Sequence, residues 1–411
     1  MRDVYLIGID MTPFGVQRDR SVGDLARQAV SGALTDAGVA PDEIGSVMFA
    51  NAAQGALEGQ HSLRAQHALR PLGIHTAPMV NLEDACSGSS VAFNLAVNQV
   101  ASGVTDISLA VGAEKLTTDD KDKKLAIFAQ PLDLAGVKAF VRDYMPTVED
   151  IQPPAGVEID PKMRSIFMDS YSILARMHMK RYGTTWEQIA MVSEKNHYHS
   201  TMNPLAQFQK AIPLEDILKA RVISWPLTLP MCSPVSDGAA AAVLGTREVA
   251  ERIGMDRAVK VLACTARGGT PRDIADSKNA AMHLAALKAY DQAGISPQDI
   301  SVAEVHDASA YAEINLIEMI GLCGFGEGGR FTESGATRLG GKVPVNTSGG
   351  LQSKGHPISA TGIGQLYELA TQLRGEAGAR QVTGAKYAIS ANGGGFYGVE
   401  DVIACVTILG K

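Results

Sequence analysis

A chain of 411 residues is long for one hydrophobic core and predicts two or more domains. Apolar residues at 45% with 5% aromatics and 42 glycines suit helices packed closely on sheets, and a net charge of -7 argues against a general polyanion binder. Five cysteines (86, 232, 264, 323 and 405), odd in number and without a CxxC pair, exclude a disulfide framework or zinc ribbon and point to a reducing compartment.

The opening residues run straight into an apolar strand, Val4 to Gly8, with no signal-peptide pattern. No apolar run nears the roughly 18 residues of a membrane span, so a soluble, cytoplasmic protein is expected. Ser21 starts a helix over Leu25 to Ala37, which Gly38 ends, and Val47 to Phe49 forms the next strand. This rhythm predicts an α/β fold with a mainly parallel sheet.

The run around Ala77 to Val80 reads as a buried strand, and Val91, Ala92, Leu95, Ala96 and Val100 recur at helical spacing. Between them stands Cys86, at the first turn of that helix. The helix dipole there favours thiolate, whereas a buried structural cysteine is the commoner use of the residue.

A repeat links the two ends of the chain. Ala37-Gly-Val-Ala-Pro-Asp-Glu-Ile44 is matched by Ala293-Gly-Ile-Ser-Pro-Gln-Asp-Ile300, each between an Ala/Leu-rich helix and a β-like run. Duplication then predicts halves of 1–255 and 256–411. Asn346 to Pro357 occupies the second-half position of the Cys86 segment, with a small-residue helix, Ser359 to Leu373, behind it. A pseudo-twofold would bring Cys86 and His356 together at the centre. An insertion of about 116–225 carries a charged turn at Asp119–Lys124 and helices near Ser165–Tyr182 and Thr185–His199. It is too long for a loop and is expected to cover a site.

Four segments can carry chemistry: Cys86, His306-Asp-Ala-Ser309, Gly355-His356-Pro357 and Asn392-Gly-Gly-Gly395. A cysteine nucleophile needs a histidine to take its proton, and acyl chemistry needs amides aimed at the oxyanion. Each segment also has a bland reading. A lone histidine is more often structural, Gly393–Gly395 can be a plain turn, and Asp307 reads best as a helix cap. His197 and His199, spaced i,i+2, do not share a helix face, so no metal site is expected there. The other four cysteines read as structural.

Asn81–Phe93, Glu304-Val-His-Asp307, Asn346–Gly362 and the glycines 393–395 together resemble the signature segments of the thiolase superfamily, over nearly the whole chain. The form is most similar to the sterol-carrier-protein-type thiolases. The resemblance implies a duplicated fold with a five-layered α-β-α-β-α core, and a loop domain over a coenzyme A pocket. It also implies Cys86 as acyl-accepting nucleophile, activated by His356. His306, in the place of the family's Asn or His, would share one oxyanion hole with His356, while the Cys86 and Gly393 amides form the second. Ser348 and Gly349 are assigned to coenzyme A, a substrate rather than a permanent cofactor. A homodimer or dimer of dimers follows as well.

The family's second, acid/base cysteine is missing at both places where it occurs, which here are Ala391 and Ala308. Three readings answer that loss. His356, His306 or Tyr311 moves the proton; the acceptor carbon needs no strong base; or a small zinc-ribbon/OB-fold partner completes the site, as in some aromatic β-ketoacyl thiolases and aldolases. The expected activity is formation or cleavage of a carbon–carbon bond through acyl-Cys86. A non-catalytic acyl-CoA- or lipid-binding homologue is the competing class.

Overall fold

The computed structural model describes residues 2–120, 122–123, 127, 133–160 and 165–411. β1, Val4–Met11, is apolar on both faces because helices cover both. Helix α1, Val22–Ala37, begins with a capping box between Ser21 and Asp24 and ends at left-handed Gly38. β2 (Ser46–Ala50) lies parallel to both β3 (Met79–Leu82) and β4 (Ile107–Glu114), with α2 (Gly88–Ala101) as the crossover between β3 and β4. β3 departs from the expected buried strand. It is the outermost strand of the sheet, paired on one side only, and Val80 is 45% exposed.

After β4 the chain leaves the sheet and returns at β7, Gly238–Thr246. The excursion holds α3 (Leu134–Tyr144), α4 (Ile166–Tyr182) and α5 (Trp186–Ser200), then a small hairpin of β5 (Val222–Ser224) and β6 (Leu227–Thr228). Ser165 and Thr185 cap α4 and α5, where the sequence places those helix starts. Part of the charged run Asp119–Lys124 lies outside the described residues.

The later part repeats the order: β8 (Val259–Gly268), α6 (Ala281–Ala293), β9 (Val302–Val305), α7 (Ala310–Met319), α8 (Thr361–Arg374), β10 (Tyr387–Gly394) and β11 (Ile403–Gly410). α6, like α1, ends on a left-handed glycine, Gly294, and each is followed by a 3-10 turn opened by proline. The strands run β3-β2-β4-β7-β1-β8-β11-β10-β9, and the two half-sheets join where Tyr5 and Leu6 pair with Lys260 and Val259. One core lies between α1 and the first half-sheet, and another between α6, α7 and the second. The central core packs α2 and α8 against both half-sheets. These make five layers, α-β-α-β-α, as the resemblance implies.

Buried ions tie the later loops to the insertion. Lys195 on α5, 1% exposed, donates to Asn196 Oδ1 and the Val345 carbonyl at 2.7 Å and pairs with Glu313 at 2.9 Å. Glu313 also accepts from Asn346, whose own Oδ1 accepts from Val305 N at 2.9 Å, just before His306. Lys195→Met strands a buried carboxylate, so chemical denaturation should show a loss of about 3–5 kcal/mol. An unshifted midpoint would mean that the Lys195–Glu313 pair contributes nothing to stability.

Candidate active site

Cys86 is lifted into place by a strained turn. Ala85 has a φ of 46°, rare without glycine, and Ala85–Ser87 form a 3-10 turn that runs into α2. Gly394 makes room for this turn. A Cβ there would fall 2.0 Å from Ser87 Oγ and 2.5 Å from the Asp84 carbonyl, which is backbone and cannot swing away. Gly394→Ala should therefore cost about 1–3 kcal/mol and slow acylation of Cys86. Wild-type acylation kinetics in that variant would show the turn to be tolerant.

His356 arrives from the other half. Its N–H donates to Ser236 Oγ at 2.9 Å, and its Nδ1 lies 2.7 Å from Thr361 Oγ1. That hydroxyl donates to the Pro357 carbonyl, so it accepts from Nδ1–H and leaves Nε2 as an acceptor. The start of α8 docks on the start of α2 through Ile363 N and Ser89 Oγ at 3.1 Å. His306 follows β9, its ring 5.2 Å from that of His356 and its buried Nε2 without a hydrogen-bond partner among the described residues. Cys86 Sγ and one nitrogen from each ring lie within 4.8 Å of one another. The fold thus brings Cys86, His306 and His356 into one cluster.

The remaining candidate residues land elsewhere. Ser348 and Gly349, assigned to coenzyme A, are buried and do not line the cavity that opens beside this cluster. Ser348 Oγ donates to Glu304 at 2.6 Å, and Glu304 pairs with Lys354 at 3.3 Å, two residues before His356. Asp307 is not the helix cap either. Ser309 caps α7, and Asp307 accepts from Asn196, Leu351 and Gln352 in the interior. Gly393 lies within β10 opposite Ala404, while the loop amide directed at the Cys86 sulfur belongs to Gly395.

Burial overrides the helix dipole at Cys86. It pushes the thiol up to about 12, and the charges of Asp401 and Glu114 push the same way. Burial lowers His306 to about 4, and burial, His306 and Lys354 hold His356 well below its usual value. At neutral pH the cluster is a thiol facing two neutral imidazoles. Glu114, raised to about 7 by burial, accepts from the Ala52 and Ala53 amides and from Asn51. Reading the sequence missed Ala85, Glu114 and Asp401, and within the glycine segment 393–395 it chose Gly393 rather than Gly395. Only Glu114 left a trace, as a carboxylate closing a buried strand.

A cavity of about 350 Å³ opens beside the cluster, with His306, Tyr311 and Asp401 in its wall. Tyr171 and His178 of α4 line it from the insertion, with Lys180 and Arg181 at its exposed rim.

Comparisons with known proteins agree with this architecture. The family "Thiolase, N-terminal domain" matches residues 4–220 and "Thiolase C-terminal domain-like" matches 270–411. The chain is 37% identical to an acetyl-CoA acetyltransferase of Methanothermobacter thermautotrophicus, covering 98% of this chain and 99% of that one. It is 35% identical to sterol carrier protein 2 of Bos taurus, covering 95% of this chain and 69% of the relative. Among solved structures, the Ltp2-ChsH2(DUF35) aldolase superposes with a TM-score of 0.76 at 23% identity, over 99% of this chain and 97% of the other. On these matches, the chain belongs to the thiolase family.

Proposed function

We propose that this thiolase-family acyltransferase forms or cleaves a carbon–carbon bond through an acyl-Cys86 intermediate, with acyl-coenzyme A as substrate. The observation that carries the reading is the convergence of Cys86 Sγ with the two imidazoles within 4.8 Å. Cys86 Sγ attacks the thioester carbonyl while its proton passes to His356 Nε2. The unpartnered His306 Nε2, as N–H, donates to the developing oxyanion. Collapse of the tetrahedral species breaks the bond to the coenzyme A sulfur, which leaves with the proton from His356. The amides of Cys86 and Gly395 face the sulfur and are placed to hold the acyl-enzyme carbonyl.

The cavity between α4 and the cluster suits the thioester arm, with the Lys180 and Arg181 rim toward the phosphates. The one-sided edge strand β3 suits pairing with a second copy, which supports the expected homodimer. Incubation of wild-type protein with acetyl-coenzyme A, followed by peptide mass spectrometry, should place one acetyl group on Cys86. Protein that never gains that mass sinks the reading.

A second reading adds a partner. Ala308 and Ala391 are both buried and carry no proton, and a structurally similar aldolase is described as a complex with ChsH2(DUF35). Affinity purification from the native host, followed by mass spectrometry, should then recover a small zinc-ribbon/OB-fold protein.

A further inference from the structure

Carbon–carbon bond chemistry must move a proton on the substrate α-carbon, and the residues Ala308 and Ala391 cannot do so. Gly395 to Val402 form the loop between β10 and β11, and that loop delivers the carboxylate of Asp401 to the cavity. Glu400 anchors it: its carboxylate accepts from Thr270 N at 2.7 Å and Ala281 N at 3.0 Å and pairs with Arg272 at 2.8 Å. The neighbouring Asp401 is left free. Among the described residues its carboxylate has no hydrogen-bond partner, and it lines the same cavity as His306. It occupies the space that a side chain at Gly393 would need, since a Cβ there would lie 2.3 Å from Asp401 Oδ2. Its charge is felt at Cys86, at Cys405 behind it and at Tyr171 across the cavity.

We propose that Asp401 is the acid/base that moves the substrate α-proton, in the role left vacant by Ala308 and Ala391; this rests on the acyl-Cys86 reading. In the condensing direction the Asp401 carboxylate takes the α-proton of a second thioester. The C–H electron pair forms the new bond to the acyl-Cys86 carbonyl carbon, and collapse expels the Cys86 sulfur, which becomes a thiol again as the proton taken up by Asp401 returns to it. In cleavage, the Asp401 carboxylic acid protonates the carbon released as the bond breaks. No oxidant or further reactant is needed.

The other candidates are less suited. Burial raises the Tyr311 phenol beyond useful range, and the two histidines are weak bases already engaged in acylation. Burial and Glu400 raise Asp401, Arg272 opposes them, and the carboxyl comes to about 7, matched to neutral operation. Proton abstraction needs the carboxylate, so it should rise with pH through that value.

The test is exchange of solvent deuterium into the α-position of acetyl-coenzyme A, followed by NMR. Asp401→Asn keeps the shape and should lower exchange on the order of 10²-fold or more, removing the rise near neutrality. Asp401→Glu should recover part of it. A variant that melts with the wild type but exchanges equally fast, or wild-type protein with no exchange, overturns the proposal. Acylation of wild-type Cys86, read separately by intact mass, reports on the acyl-enzyme reading alone.

Discussion

Cys86→Ala protein mixed with acetyl-coenzyme A should gain no acyl mass, whereas the wild type gains one acyl group per chain. The contrast is expected to be complete, because Cys86 is the thiol that the structure groups with two imidazoles. Cys264 contacts Asn94 and Thr407, Cys232 donates to the Thr228 carbonyl, and Cys405 is buried in β11. Burial raises all four, so none is a thiolate at neutral pH. Intact-protein mass spectrometry reads the outcome directly. An acyl group that persists in Cys86→Ala would move the nucleophile elsewhere and break the argument from the cluster.

His356→Ala should slow acylation by about 10²- to 10⁴-fold, the range that a positioned general base contributes. The magnitude follows from the thiol. With the Cys86 thiol held at about 12, only about one molecule in 10⁵ is thiolate at pH 7, so the wild-type protein depends on transfer to the imidazole. The pH dependence has a definite sign. Wild-type acylation should be nearly flat across neutral pH, because His356 is already neutral there. Without His356 the rate should climb about tenfold per pH unit toward 12, as solvent removes the proton instead. Burst kinetics in a stopped-flow instrument distinguish the two profiles, and an unchanged burst in His356→Ala would contradict the base role.

Much of this site was legible in the chain because its marks are local. A cysteine at a strand-to-helix seam, a histidine after an apolar run and a Gly-His-Pro before a small-residue helix are contiguous patterns. The repeat around Gly38 and Gly294 paired the two halves, since helix stops and proline-opened turns are written in a few neighbouring residues. Helices α4 and α5 begin where Ser165 and Thr185 said they would, for the same reason. The misreadings arose where the answer depends on a distant neighbour. Ser348 was assigned to coenzyme A, but its hydroxyl is held inside by Glu304, 44 residues away in sequence. Asp307 looked like a cap, but Asn196 of the insertion and the amide of Leu351 claim it.

Local motifs, their order and the repeat therefore carried the fold class, the thiolase resemblance and the choice of Cys86, His306 and His356 as candidates, because each is encoded by short-range pattern. The ionisation of those groups and the presence of Asp401 came from three-dimensional packing. Desolvation is a property of everything surrounding a group, and the dipole that favours a thiolate at a helix start is outweighed once the sulfur is buried, with the charges of Asp401 and Glu114 pushing the same way. Asp401 carries no motif at all. It reaches the cavity because a loop folds back over a glycine whose missing side chain leaves room for a carboxylate.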